Sequence, residues 1–375
     1  MSADNSPRLW PFYVSGFMGP FGGAMVNAIL PELADTLGTD VTGASGAVTA
    51  YMIPFSVLMV ISGTVGARWG AARSVRFGLL LFSASSVLCM LSPGLGLFLT
   101  GRALQGVANA FTTPLLVAII SSLVPRERLG RSLGAYASFQ AAGQAFAPLI
   151  GGVAAEINVR LAFAATALVA LLLAVLIPVR QTRGATMPAD WGALRNPRLV
   201  RSASVALCSQ FAATSVMVLT ALLVSDRFGL TPGERGLVVA CFGLAGLLFG
   251  RVIGHLVDRF DVVPVGSVSL AILALSLALL GVTPGLVAVI ALVSLGGFVG
   301  TAARILTNTL AIHSTPRNVG GATSLTMAAQ FLGTAVMPAI IPLYHWHTWA
   351  AYAVAAAVAM TGAVLARIPL AAAST

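Results

Sequence analysis

The chain has 375 residues, 58% of them hydrophobic and 9% charged, with a mean hydropathy of +0.94. A soluble domain of this size cannot cover its surface with so little charge, which leaves a polytopic membrane protein. The net charge of +10 comes from 21 basic residues, all arginine, whose placement follows membrane topology and not a nucleic-acid surface.

Runs long enough to cross a bilayer, roughly 20 residues each, fall at 10–31, 44–66, 74–92, 96–122, 130–155, 160–179, 202–224, 233–256, 262–282, 285–312, 319–342 and 348–367. The first follows Arg8, is too long for a signal-peptide core and reads as a retained span. It carries Asn27 and ends at Pro31-Glu32. Several connections are tight turns, such as Ser92-Pro93-Gly94 and Thr283-Pro284-Gly285. The one longer polar segment, 180–201, is the central loop between a six-span half at 1–179 and another at 202–375.

With the N-terminus in the cytoplasm, sixteen arginines collect on the cytoplasmic side. Three (Arg160, Arg227 and Arg235) then lie outside, and two (Arg102 and Arg304) lie within spans. This asymmetry puts both termini inside, in an inner or plasma membrane.

In the fourth span, Arg102, Gln105, Asn109 and Thr112/Thr113 share one helical face. A charge inside a bilayer faces a bundle interior or a watery cavity, and the polar stripe below Arg102 reads as a solute pathway. The alternative is an arginine that snorkels to the nearer interface. Similar stripes are Gln140 and Gln144 in the fifth span, Gln210 and Thr214 in the seventh, and Gly300, Arg304 and Asn308 in the tenth, with Gln330 in the eleventh. Any one of these could be an interhelical hydrogen bond; as a set they read as a cavity lining. Arg304 has the same snorkelling alternative.

Cys89, Cys208 and Cys241 are isolated in apolar runs, and the four histidines have no ligand spacing, so neither a metal nor a cofactor is expected. The two halves share landmarks. Gly63-Thr-Val-Gly-Ala67-Arg68 recurs as Gly254-His-Leu-Val-Asp258-Arg259, and Pro125-Arg126 as Pro316-Arg317, each 191 residues on. Gln140, Gly143 and Pro148 recur as Gln330, Gly333 and Pro338, 190 residues on. A duplicated six-span unit places the substrate site between the halves near midplane.

These strings resemble the major facilitator superfamily, and within it the twelve-span drug:proton antiporter group, over essentially the whole length. The loop after the second span, Gly63 to Arg73 with Arg68 and Gly70, is similar to the family's Gly-x-x-x-Asp-Arg-x-Gly-Arg signature, although Ala67 stands where the family has an acid. The second copy, Gly254 to Arg259, keeps that acid as Asp258. The resemblance implies a charged latch between the cytoplasmic ends of the halves. Arg102-Ala-Leu-Gln105-Gly106 matches the fourth-span signature of proton-coupled members. Gly143-Gln-Ala-Phe-Ala-Pro148-Leu-Ile-Gly151-Gly152 resembles the fifth-span signature that marks exporters and allows close helix approach and bending. Exporters of cationic drugs commonly carry an acid four residues before a proline in the first span. Asn27 stands there and cannot titrate.

The expected fold is thus all-α, twelve transmembrane helices in two pseudo-symmetric halves. The expected function is a secondary transporter that works by alternating access as a monomer and exports a small organic solute, anionic, zwitterionic or neutral, because no acid lies in mid-span. Glu32, near Arg102, is the candidate proton carrier. The alternatives are a facilitative or import carrier and a sensor derived from the fold. A membrane enzyme would need a carboxylate pair, a Cys–His set or a metal cluster within a span, and the sequence offers none.

Overall fold

The computed structural model describes residues 9–178, 196–315 and 319–368. Among these the chain is helical, without strands, and crosses the membrane twelve times. The first span is assembled from α1 (Trp10–Ser15), α2 (Met18–Ala24), a 3-10 turn (Met25–Ala28) and α3 (Leu30–Leu37). Then come α4 (Val41–Trp69), α5 (Ala71–Leu91), α6 (Leu95–Ala110) with α7 (Thr113–Leu123), α8 (Arg126–Ile157) and α9 (Val159–Leu176). The second half runs through α10 (Pro197–Phe228), α11 (Pro232–Phe260), α12 (Val262–Leu280), α13 (Leu286–Ser314) and α14 (Val319–Val336). It closes with a 3-10 turn (Met337–Ile340), α15 (Ile341–Trp346) and α16 (Thr348–Arg367). Ten of the spans are long and apolar enough to cross a membrane by composition alone. The other two are the broken first span and α8, which carries Gln140 and Gln144.

The helix ends follow the local sequence. Asp40, Asn158 and Asn196 cap α4, α9 and α10 through side-chain oxygens, and Thr231 forms a reciprocal capping box with Glu234 at α11. Gly38 and Gly229 close α3 and α10 in the left-handed conformation. Pro31, which ends the expected first span, instead starts α3, where its missing N–H is harmless, so the span runs on to Leu37. The last residues of the expected central loop, Arg198 and Arg201, already belong to α10. Arg180, Arg183, Arg195, Pro316 and Arg317 lie outside the described residues.

The duplication is visible in the packing. A Cβ on Gly143 would come within 2.4 Å of the Phe17 carbonyl, and one on Gly333 within 2.3 Å of the Leu207 carbonyl. Both the glycines and the carbonyls are 190 residues apart, so the same contact is built twice. Gly70 and Asp261, 191 residues apart, both take positive φ (92° and 67°) and turn the chain in one residue between neighbouring spans.

The halves meet along α8 with α11 and along α4 with α14. Thr49 donates to the Ala335 carbonyl at 2.7 Å, and the Phe55 and Phe331 rings lie 4.4 Å apart. Glu156 accepts from the Thr231 hydroxyl and the Gly233 N–H. The Thr49 and Glu156 contacts lie toward the end that carries Gly38 and Gly229, and the ring contact lies near the middle of α4. At the opposite end Arg68, Arg73, Arg76, Arg128, Arg131, Arg251 and Arg259 are all exposed, and Cβ atoms on Gly134, Gly250 and Gly254 would meet nothing within 4 Å. The bundle is sealed at the Gly38/Gly229 end and open at the arginine-rich end.

Candidate functional site

Between the halves lies a cavity of about 250 Å³. From the first half it is lined by Asn27, Asn109, Gln140 and Gln144, and from the second by Gln210, Arg304, Asn308 and Gln330. Most of these amides are held in short relays. Arg304 donates through Nη2 to Gln144 Oε1 at 3.3 Å, and Gln330 donates through Nε2 to Gln210 Oε1 at 3.2 Å. Gln140 donates to the Tyr136 hydroxyl, which donates to the Thr113 carbonyl. The hydroxyls of Thr112 and Thr113 converge on Asn109 Oδ1. The rest of the lining is mostly apolar, with Tyr51, Met52, Phe55, Met217, Met327 and Phe331. Arg304 and Asn308 are exposed to the cavity, so Arg304 does not snorkel away from it. Among the described lining residues no carboxylate is present, and Arg304 is the one charge.

Two of the expected lining residues are elsewhere. Arg102 and Gln105 are both 0% exposed and do not reach the cavity. Arg102 donates through Nε to the Ala47 carbonyl at 3.2 Å, and through Nη1 to the Gly22 carbonyl at 3.1 Å and Gln105 Oε1 at 2.6 Å. Its guanidinium lies 4.5 Å from the Tyr51 ring centroid, and Gln105 passes the chain on to Ser86. Gly106 makes this enclosure possible, because a Cβ there would sit 2.0 Å from the Tyr51 carbonyl. The Arg-x-x-Gln-Gly string therefore ties together the first four spans. The arginine neither snorkels nor approaches Glu32, because backbone carbonyls and a π face take the place of a counter-ion.

Glu32 pairs instead with Arg235, at the start of α11 in the other half. Arg235 is 2% exposed and also donates to Ser225, so it is no external loop charge. Sequence reasoning missed Arg235, Glu156 and Thr231. The available signal was an arginine already inside the eighth span, one turn after Thr231-Pro-Gly.

The fifth-span string lies at the seam. A Cβ on Gly152 would come within 2.2 Å of the Pro232 carbonyl, one on Gly236 within 2.4 Å of the Pro148 carbonyl, and one on Gly151 within 2.9 Å of the Met25 carbonyl. Backbone meets backbone there. At the arginine-rich end Arg68, Arg73, Asp258 and Arg259 are exposed, and Asp258 has no ion-pair partner among the described residues. Gly70 and Gly254 are free of contacts that would pull the halves together, and Gly63 lies within α4. The expected latch is not engaged in this conformation.

Known proteins share this architecture. A transporter of the POT family, solved in complex with 5-aminolevulinic acid, superposes with a TM-score of 0.81 at 14% identity, covering 95% of this chain and 94% of that one. A D-xylose-proton symporter gives a TM-score of 0.77 at 16% identity, with 96% of both chains covered. At such identities the likeness concerns the fold. In sequence, 130 residues (34% of this chain, 26% of the relative) are 32% identical to the drug efflux pump JefA of Mycobacterium tuberculosis. A further comparison, over 136 residues (36% and 27%), gives 35% identity to the puromycin resistance protein pur8 of Streptomyces alboniger. The matched stretches span about a quarter of each relative's length. The profile of the Major Facilitator Superfamily matches residues 12–206 and 202–373, in register with the two halves and the cavity between them, and the chain belongs to that superfamily.

Proposed function

We propose that the protein is a secondary active exporter of a small organic solute that is anionic, zwitterionic or neutral, working by alternating access as a monomer in the plasma membrane. The observation that carries this reading is the inter-half cavity, whose one charged lining residue among those described is Arg304. Charges interact strongly in a low-dielectric site, so a lone guanidinium repels lipophilic cations and attracts anions. With the arginine-rich end in the cytoplasm, the structure is the inward-open state, ready to take solute from the cell. Export is further supported by the fifth-span string at the seam and by relatives named as a drug efflux pump and a resistance protein. Coupling to protons rests on Glu32, the carboxylate paired with Arg235 across the outer seam.

Uptake into proteoliposomes under an imposed pH gradient tests the reading, with matched anionic and cationic aromatic solutes. Gradient-dependent movement of anions, reduced by Arg304→Gln, is expected. Efficient movement of lipophilic cations that Arg304→Gln leaves unchanged would sink it.

A further inference from the structure

We infer that the cavity recognises its substrate at two separated points, an anionic group at Arg304 and an O–H or N–H donor at Asn27, with an apolar body between. This rests on the transport reading above and adds the chemical class of the solute.

The Arg304 guanidinium spends one hydrogen bond, to the neutral oxygen of Gln144, and is otherwise open to the cavity. A guanidinium has five donors in a planar fork, so an edge remains for a carboxylate, sulfonate or phosphate. Asn27 lines the same cavity at 4% exposure, and its Oδ1 is buried with no hydrogen-bond partner. Unpaired buried acceptors are rare and costly, and a ligand donor that displaces the groups now covering this oxygen would satisfy it.

The two points lie on different halves. Asn27 sits in the 3-10 turn of the first span and Arg304 on α13 of the other half, so the two groups face the cavity from opposite halves. Met52, Phe55, Met217 and Phe331 line the same cavity. Thioether and ring surfaces adapt to a flat apolar body and offer it no charge. The solute class is therefore an elongated amphipathic organic anion whose hydroxyl or amine is remote from its acid.

Three biphenyl probes separate the terms. The 4′-hydroxybiphenyl-4-carboxylate has both groups, the 4′-methoxy acid lacks the donor, and the 4′-hydroxy carboxamide lacks the charge. Binding is measured by calorimetry on the purified protein in nanodiscs, with melting curves to confirm that each variant is folded. The hydroxy acid should bind about tenfold more tightly than either relative. Asn27→Ala should level the hydroxy and methoxy acids while acid still beats amide. Arg304→Gln should level acid and amide while hydroxyl still beats methoxy, and Arg304→Lys should restore part of the acid preference. Equal binding of the three probes, absence of binding by all three, or a parallel loss across them in either variant overturns the two-point reading. If it fails in this way while organic anions still cross proteoliposomes, the transport reading stands without it. If cations alone are carried, both fall.

Discussion

The guanidinium of Arg235, buried at the first turn of α11, is paired with the carboxylate of Glu32 on α3, across the seam between the two halves. Neighbouring charged groups are engaged elsewhere. Glu156 accepts from Thr231 and Gly233, Glu234 caps its own helix, Asp226 accepts from Tyr344, Arg227 donates to the Thr283 carbonyl, and Asp40 caps α4. Asp35 is exposed on α3 and His345 on α15. The Glu32–Arg235 pair is the one ion pair among the described residues, and it sits where the bundle is sealed.

Removing the carboxylate should loosen that seal. One partner is 2% exposed and the other 24%, so the cost lies between that of a surface pair and a buried one, about 2 kcal/mol. Glu32→Gln should shift the population toward an outward-open state. Electron–electron distances between spin labels at Thr36 and Leu230, with native cysteines replaced, should lengthen. A distance distribution in the glutamine variant identical to that of the parent would remove Glu32 from the seal.

Arg102 should behave as a structural residue. Arg102→Lys cannot span the Ala47 and Gly22 carbonyls and Gln105 together, because an ammonium is a compact point charge without the planar fork. A lower apparent melting temperature is expected, with an unchanged KM in whatever protein survives. A selective rise in KM at unchanged stability would place Arg102 in contact with substrate after all.

Glycines at the seam and within a half should respond differently. A Cβ on Gly297 would sit 1.8 Å from the Phe242 carbonyl in the same half, so Gly297→Ala should impair folding. Gly152→Ala strikes the Pro232 carbonyl across the seam. It should leave a folded protein in which the sealed conformation is depopulated, read by the same pair of spin labels.

Asp261 is the non-glycine residue at positive φ among those described, with φ 67° and ψ 154°. That region is nearly reserved for glycine and costs on the order of 1–3 kcal/mol. Asp261→Gly should raise the apparent melting temperature in a thermal scan without altering transport. Gly70, its counterpart in the first half, already has the preferred residue.

The twelve spans and the duplication were legible because long apolar runs and repeated glycine and proline landmarks survive in sequence without reference to neighbours. The amides at 140, 144, 210, 308 and 330 were legible as cavity-facing because they fall on polar stripes of apolar helices. Arg102 lies on a stripe as conspicuous as theirs. What covers it is the α4 backbone, brought close by Gly106, and a stripe does not reveal which neighbour lies against it. Arg235 was misplaced for another reason: a charge one turn inside a span looks like loop sequence until its partner on a different half is known.

The two 3-10 turns, Met25–Ala28 in the first span and Met337–Ile340 in the eleventh, hold a small reserve of length just inside the sealed end. Their residues rise ~2.0 Å each, against ~1.5 Å in an α-helix. Rewinding one turn of four residues as α-helix would shorten its span by about 2 Å. Glu32 follows the first of these turns, in the first turn of α3, and a retraction of that size takes a carboxylate out of hydrogen-bonding reach of its arginine. This one ion pair can thus be parted by a change of pitch within a single helix, before either half has rotated as a body.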